Sequence, residues 1–231
     1  MKKSINPINN VEYTIPKNLD DINSINDFVS RNKNKKIIVV QGLGFVGSVM
    51  SIVCANSKLE DYAVIGIDLP NEFNYWKIAS INEGIFPIVA EDKKIETFFK
   101  KTLKIGNFYA TYDPYAYSLA DIIIVDINLD VEKKLNNDFS LKHFDVNMNP
   151  FKSAIKSIGQ NCQKDSLVLV ETTVPPGTCE KVVKPIITKE LKKRNLDFDQ
   201  IKIAHSYERV MPGPDYIDSK LNFPRVFSGI D

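Results

Sequence analysis

The sequence predicts an α/β protein: a doubly wound, mainly parallel sheet with helices on both faces. Three observations predict it. Runs at 37–40, 120–126 and 166–171 are β-branched and almost continuously apolar, as strands buried on both faces are. Longer segments with apolar residues at helical spacing alternate with them, and that alternation gives parallel strands joined by crossover helices. The first run also passes directly into a glycine turn, Gly42-Leu43-Gly44-Phe45-Val46-Gly47, and then into a helical segment.

Composition narrows the classes. The chain has 231 residues, 43% hydrophobic and 26% charged, enough for one large or two small domains with an ordinary core. A net charge of +1 gives no general argument for nucleic acid or an anionic membrane as partner. Cys54, Cys162 and Cys179 have no C-x-x-C spacing, and only His143 and His205 accompany them, so no metal site is expected. A sparse, odd cysteine count suits a reducing cytoplasm. No signal-peptide core and no apolar run of transmembrane length stands out, so a cytosolic protein is expected.

In chain order, residues 1–18 are polar and Asn-rich and are expected to wrap the surface or stay loose. Ile22, Ile25, Phe28 and Val29 then predict a short amphipathic helix docked on the domain. Residues 1–34 therefore read as an extension and 35–231 as the main domain. Within it, the spacing predicts helices over 45–58, 71–84 and 91–103, the last burying Ile95, Phe98, Phe99 and Leu103. It predicts strands over 62–68 and 107–112. Tyr109, Tyr112, Tyr115 and Tyr117 either line a nucleotide site or pack. After the strand at 120–126, residues 128–149 read as a long polar loop with a helical piece. Helices at 151–160 and 175–194 flank the strand at 166–171, and 201–204 is the last strand. Pro175-Pro176 reads as the start of its helix.

The glycine turn has the spacing G-x-G-x-x-G. The first glycine permits a tight turn, the second lets a pyrophosphate approach the backbone, and the third lets helix pack close on strand. The helix after it aims its N–H groups and positive dipole end at phosphates. Asp68 ends the next strand roughly twenty residues on, where an acid holds the adenosine ribose. A carboxylate there accepts from the ribose hydroxyls and repels a 2′-phosphate. With no Arg following, the reading is a Rossmann-type fold binding NAD rather than NADP. The bland alternative is an α/β domain with a glycine turn and a surface Asp.

Two further stretches place polar residues at strand ends: Glu171-Thr172-Thr173-Val174-Pro175-Pro176-Gly177-Thr178 and Glu208-Arg209-Val210-Met211-Pro212-Gly213. Thr172 and Thr173 there either touch the nicotinamide end of NAD or orient a water; Thr173 is otherwise a helix N-cap. Glu208 is either a general base or a salt-bridge partner of Arg209 or a lysine.

Together with Gly42–Gly47, Asp68 and Ile81-Asn82-Glu83-Gly84, these motifs resemble the NAD-binding part of the UDP-glucose/GDP-mannose dehydrogenase family over about 35–231. The resemblance implies oxidation of C6 of a UDP- or GDP-linked sugar from alcohol to acid with two NAD. A cysteine captures the aldehyde as a thiohemiacetal, and a thioester is then hydrolysed. It implies that Gly42, Leu43, Gly44, Phe45, Val46, Gly47, Asp68, Thr172 and Thr173 hold NAD. It implies catalytic roles for Thr173, which positions water or a base, and for Glu208 as base. Substrate contacts fall to Glu208, Arg209 and Val210. The family's V-P-T-P-like turn is here Asp126-Ile127-Asn128-Leu129. Asn128 could stand in for a hydroxyl, whereas Asp126 near the phosphates is unfavourable unless it points away.

The family's central helix with its Lys and Asn, its G-G-x-C nucleophile and its second α/β domain are not in this sequence. The chain is therefore expected to be incomplete as an enzyme and to expose apolar surface near residue 231. Family members pair through that helix, which leaves homo-oligomerisation to the full-length protein. Cys179, in the first turn of a helix, is the one thiol with an argument for reactivity, although packing is favoured. The competing readings are a non-catalytic NAD-binding module and a β-hydroxyacid-type dehydrogenase.

Overall fold

In the computed structural model, which describes residues 2–129, 131–210 and 213–230, the chain opens with a hairpin. Its strands are β1 (Lys3–Ile5) and β2 (Glu12–Thr14), followed by helix α1 (Ile22–Arg31). Next come β3 (Lys36–Gln41), α2 (Phe45–Ala55), β4 (Tyr62–Ile67), α3 (Tyr75–Asn82), α4 (Lys94–Ile105) and β5 (Phe108–Thr111). A 3-10 segment, Pro114–Leu119, leads to β6 (Ile122–Val125), and a separate hairpin follows, β7 (Val131–Leu135) and β8 (Leu141–Val146). The chain closes with α5 (Asn149–Asn161), β9 (Leu167–Val170), α6 (Lys184–Lys193), β10 (Lys202–His205), α7 (Tyr216–Asn222) and β11 (Ser228–Ile230).

The central sheet has the order β11-β10-β9-β6-β3-β4-β5. Every pairing is parallel except that of β11, which runs antiparallel to β10. Side chains alternate between two cores, as a sheet covered on both faces requires. Ile37, Val39, Ile65, Ile123 and Val168 face α1, α5 and α6. Ile38, Val40, Val64 and Ile124 face α2. The chain reverses its direction of travel across the sheet between β3 and β6, where open α/β sheets take ligands at their carboxyl ends.

Several expectations change. Residues 128–149 carry a β-hairpin in place of a loop with a helical piece. Its pairs set Val131 opposite Val146 and Lys133 opposite Phe144, with neither face buried. The helix expected over 71–84 starts only at Tyr75, because the Asn71 carboxamide accepts from the Phe73 and Asn74 N–H groups and holds a turn before it. Leu103 is 43% exposed, and Thr102 takes the buried position instead. Pro175-Pro176 lies in a turn ahead of its helix, which begins with a wide π-turn over Cys179–Val183. Near the C-terminus, Leu221, Phe223, Val226 and Phe227 are exposed.

The N-terminal stretch is packed, not loose. α1 buries Ile25 and Phe28, and Phe28 stacks on Tyr109 at 5.7 Å. The Asp21 carboxylate accepts from Tyr109 (2.9 Å) and Thr111 (2.6 Å). Buried Ser4 donates to the Glu72 carbonyl (2.8 Å) and accepts from the Trp76 N–H (3.0 Å). Asn74, at the helix's own N-cap, makes no side-chain cap bond. Ser4 therefore caps α3 from a distant part of the chain.

Replacing Ser4 with Ala leaves the buried Trp76 N–H unmet, a loss of about 1–3 kcal/mol. Urea unfolding of S4A should show that loss, with the fluorescence of Trp76 reporting it locally. Unchanged stability would mean that the hairpin does not brace α3.

Candidate active site

The site forms where β3 passes into α2. Gly42 has φ +102°, a region that favours glycine. A Cβ on Gly42 would stand 2.3 Å from the Asp126 carbonyl oxygen, and one on Gly47 would stand 1.9 Å from the Gly42 carbonyl oxygen. The start of α2 is thus pressed against the ends of β3 and β6. Gly44 differs: nothing lies within 4 Å of where its Cβ would be. It borders a cleft of about 1170 Å³ along the carboxyl edge of the sheet, together with Phe45, Val46 and Asp68. That volume slightly exceeds the usual range of roughly 300–1,000 Å³ for ligand sites.

Asp68 is fixed directly to the turn. Its Oδ2 accepts from the Leu43 N–H (3.1 Å) and from Lys77 Nζ (3.0 Å), and its Oδ1 from the Leu69 N–H (2.8 Å). Lys77 also donates to the Asn74 side chain (2.7 Å). Asn74 and Lys77 both border the cleft, and sequence reasoning missed them. Their signal is position: they begin the helix that follows the acid-bearing strand. It also missed Pro150, Ser153, Ala154 and Ser157, a stripe of α5 on the opposite wall.

The remaining predicted residues are placed unequally. Leu43 is fully buried and serves the site through its N–H. Thr172 borders the cleft, but its hydroxyl accepts from the Ile127 N–H (2.9 Å) and donates to the Val125 carbonyl (3.1 Å), tying β6 to β9. Thr173 is exposed on the cleft wall. Glu208 borders the same cleft. Arg209 is exposed outside it, and Val210 is partly buried against the core cluster that contains Leu43 and Tyr216. Met211 and Pro212 lie outside the described residues. Of the four tyrosines, Tyr112 and Tyr117 border the cleft, while Tyr109 and Tyr115 pack against the core.

Behind Glu208 lies a buried charge cluster. Lys220 and Arg225 both pair with Glu208 Oε2, and Arg225 Nη1 reaches Glu171 Oε1 at 2.6 Å. Burial pushes the Glu171 carboxyl above the usual range despite both cations. For Glu208 burial also pushes upward, but Lys220 and Arg225 outweigh it and hold the carboxyl below its usual range. Asp126 faces this cluster from beneath the glycine turn, and burial followed by the charge of Glu171 pushes it up to about 8.

No cysteine borders the cleft among the described residues. Burial raises the Cys179 thiol, against the activation expected at a helix start, and pushes Cys54 up to about 12. No group of three or more His, Cys, Asp or Glu among the described residues could hold a metal ion. No helix among them is long and apolar enough to cross a membrane. The open space over Gly44, the N–H groups at the start of α2 and the acid pinned beside them fit a dinucleotide.

Comparison with known proteins agrees. The model of the NAD binding domain of the UDP-glucose/GDP-mannose dehydrogenase family matches residues 35–230. A UDP-N-acetyl-D-mannosamine dehydrogenase of Pyrococcus horikoshii is 28% identical over 84% of this chain and 41% of its own length. A UDP-N-acetyl-D-glucosamine 6-dehydrogenase of Pseudomonas aeruginosa is 26% identical over 78% of this chain and 37% of its own. The crystal structure of an NDP-N-acetyl-D-galactosaminuronic acid dehydrogenase from Methanosarcina mazei superposes with a TM-score of 0.72 at 25% identity. It covers 90% of this chain and 41% of that one. The chain thus spans about two fifths of the length of these relatives.

The last two glycines of the turn should separate in their effects. Gly47→Ala forces a backbone contact apart and should cost at least about 1–3 kcal/mol of stability in thermal unfolding. Gly44→Ala should leave the Tm near wild type and weaken NAD binding by about tenfold or more. Equal loss of stability in both variants would contradict this geometry.

Proposed function

The chain belongs to the UDP-glucose/GDP-mannose dehydrogenase family and carries its NAD-binding domain, and from that premise we propose that it serves a nucleotide-sugar 6-dehydrogenase. The reaction is oxidation of the C6 alcohol of a UDP- or GDP-linked sugar to the carboxylate with two NAD. The names of the relatives favour a UDP-linked N-acetylhexosamine. The observation that carries the proposal is one cleft that joins the pinned Asp68, the glycine turn, Thr173 and Glu208.

In this reading the turn over 42–47 receives the diphosphate on the first N–H groups of α2. Asp68 and Lys77 hold the adenosine ribose, and the negative charge of Asp68 disfavours a 2′-phosphate. Bound NAD supplies the hydride acceptor. Thr173 is free to orient water or substrate from the opposite wall. Thr172 acts at one remove, by fixing the ends of β6 and β9. Glu208 is the candidate base, and Arg209 and Val210 carry the chain past the substrate side. The thiol that would trap the aldehyde is not supplied by Cys54, Cys162 or Cys179, none of which borders the cleft. The full four-electron reaction therefore requires a cysteine from outside these 231 residues.

Calorimetry should detect NAD binding and at least about tenfold weaker NADP binding. Asp68→Ala should weaken NAD and narrow that preference. Equal affinity for the two cofactors would remove the role given to Asp68. Mixed with NAD and UDP-N-acetylhexosamines or GDP-mannose, the isolated chain should give no sustained NADH absorbance, and continuous turnover would contradict the need for an external thiol.

A further inference from the structure

Asp126 follows β6 immediately beneath the glycine turn, where a Cβ on Gly47 would lie 3.2 Å from the Asp126 Cβ. The residue is 9% exposed and borders the cleft, and its Oδ2 has no hydrogen-bond partner. Every neighbouring element contributes to its surroundings. Glu171 faces it from the end of β9, Glu208 from the end of β10, Lys220 from α7 and Arg225 from beyond α7. The Tyr216 phenol on α7 and the Cys54 thiol on α2 also sense it, and both are raised by burial and stay neutral near pH 7. The N-terminal dipole of α2 is the one backbone feature favouring a negative charge there.

Counting charges decides its state. Three carboxyls share this region with two cations, and both cations are already committed to Glu171 and Glu208. A third buried negative charge would have no counter-ion, and a buried acid in that position relieves the cost by keeping its proton.

We infer that Asp126 is a protonation gate on cofactor binding: the neutral acid admits the diphosphate of NAD at the glycine turn, and the carboxylate repels it. The inference rests on the reading of the cleft as the NAD site. It also resolves the apparent conflict of an acid standing where phosphates must approach, since the acid carries no charge when they do. The phosphates oppose ionisation further, so the complex keeps the proton to a higher pH than the free protein does. Binding therefore stays at full strength below the free protein's value of about 8 and weakens as pH rises through it. Above that value, each NAD bound returns a proton from solvent to the carboxylate.

The test is calorimetry of NAD binding to the full chain from about pH 6.5 to about pH 9.5, in paired buffers of different ionisation heat. The Kd should rise by about thirtyfold across that range, with uptake approaching one proton per NAD at its upper end. Asp126→Asn keeps the shape without the titration; its Kd should stay flat, with no proton uptake. Should that variant fail to fold, the buffer pairs on the wild-type chain still decide. A flat wild-type Kd without proton uptake, or the same slope in D126N, overturns the gate while leaving the NAD site standing. Failure to bind NAD at any pH removes the NAD reading and the gate with it.

Discussion

Three backbone segments meet at one point with no room for a side chain. The Asp126 carbonyl lies against Gly42, and the Gly42 carbonyl lies against Gly47. Because the obstructing atoms are backbone, no rotamer change relieves a larger residue at either position. The consequences spread along the carboxyl edge of the sheet. The Gly42 N–H continues the pairing of β3 with β4 by donating to the Ile67 carbonyl at 2.8 Å. That leaves the Leu43 N–H turned toward Asp68, so the glycine turn and Asp68 become one rigid unit. The Asp126 N–H donates to the Gln41 carbonyl at 2.9 Å and brings the end of β6 into the same unit. The shape of the turn is thus set by sterics before any ligand contact is made.

The charge cluster constrains chemistry in a comparable way. A general base works best with a pKa near the operating pH. Glu208 is held below the ordinary carboxylate range by two cations, so in the paired state it is a weak base. It gains basicity by losing one partner. The Lys220 side chain is fully buried, whereas that of Arg225 is 25% exposed, so Arg225 is the partner whose withdrawal costs less desolvation. Glu171 borders the same cleft, but its side chain is 1% exposed and Arg225 binds it as well. Pairing divides the three acids: Glu208 is held ionised between two cations, Glu171 anchors Arg225, and Asp126 keeps its proton.

How much of this was legible in the sequence follows from which signals are local. β3, β4, β6 and β9 were readable because parallel strands buried on both faces need unbroken apolar runs. The glycine turn and Asp68 were readable because their spacing is a fixed property of one βαβ unit. The β7–β8 hairpin was not, since neither face is buried and no apolar period marks it. Nor was α7, a short helix whose buried side joins Ser219 and Lys220 to Tyr216 and Ile217, so that no extended hydrophobic stripe marks it. Thr172 and Thr173 show the limit at a single residue. They are neighbours of the same chemical type, and only the register of β9 against β6 sends one hydroxyl into backbone bonds and leaves the other on the cleft wall. The Arg225–Glu171 and Lys220–Glu208 pairs join parts of the chain that only the folded sheet brings together.

The N-terminal stretch belongs to this argument even though the family match begins at residue 35. Ser4 caps the helix whose first turns carry Asn74 and Lys77, and Lys77 in turn holds Asp68. On the other side, Asp113 accepts from the Asp21 N–H at 2.9 Å, and Asp21 accepts from Thr111 at the end of β5. Tyr112 between those two bonds and Pro114 next to Asp113 both border the cleft. Without these contacts, α3 would begin with an uncapped buried N–H, and the wall beside Asp68 would rest on one exposed turn at Asn71. A wall that must order itself on binding loses affinity to that ordering, whereas one already braced does not. The extension therefore bears on the cleft without lining it, by bracing the wall that carries Asp68 and Lys77.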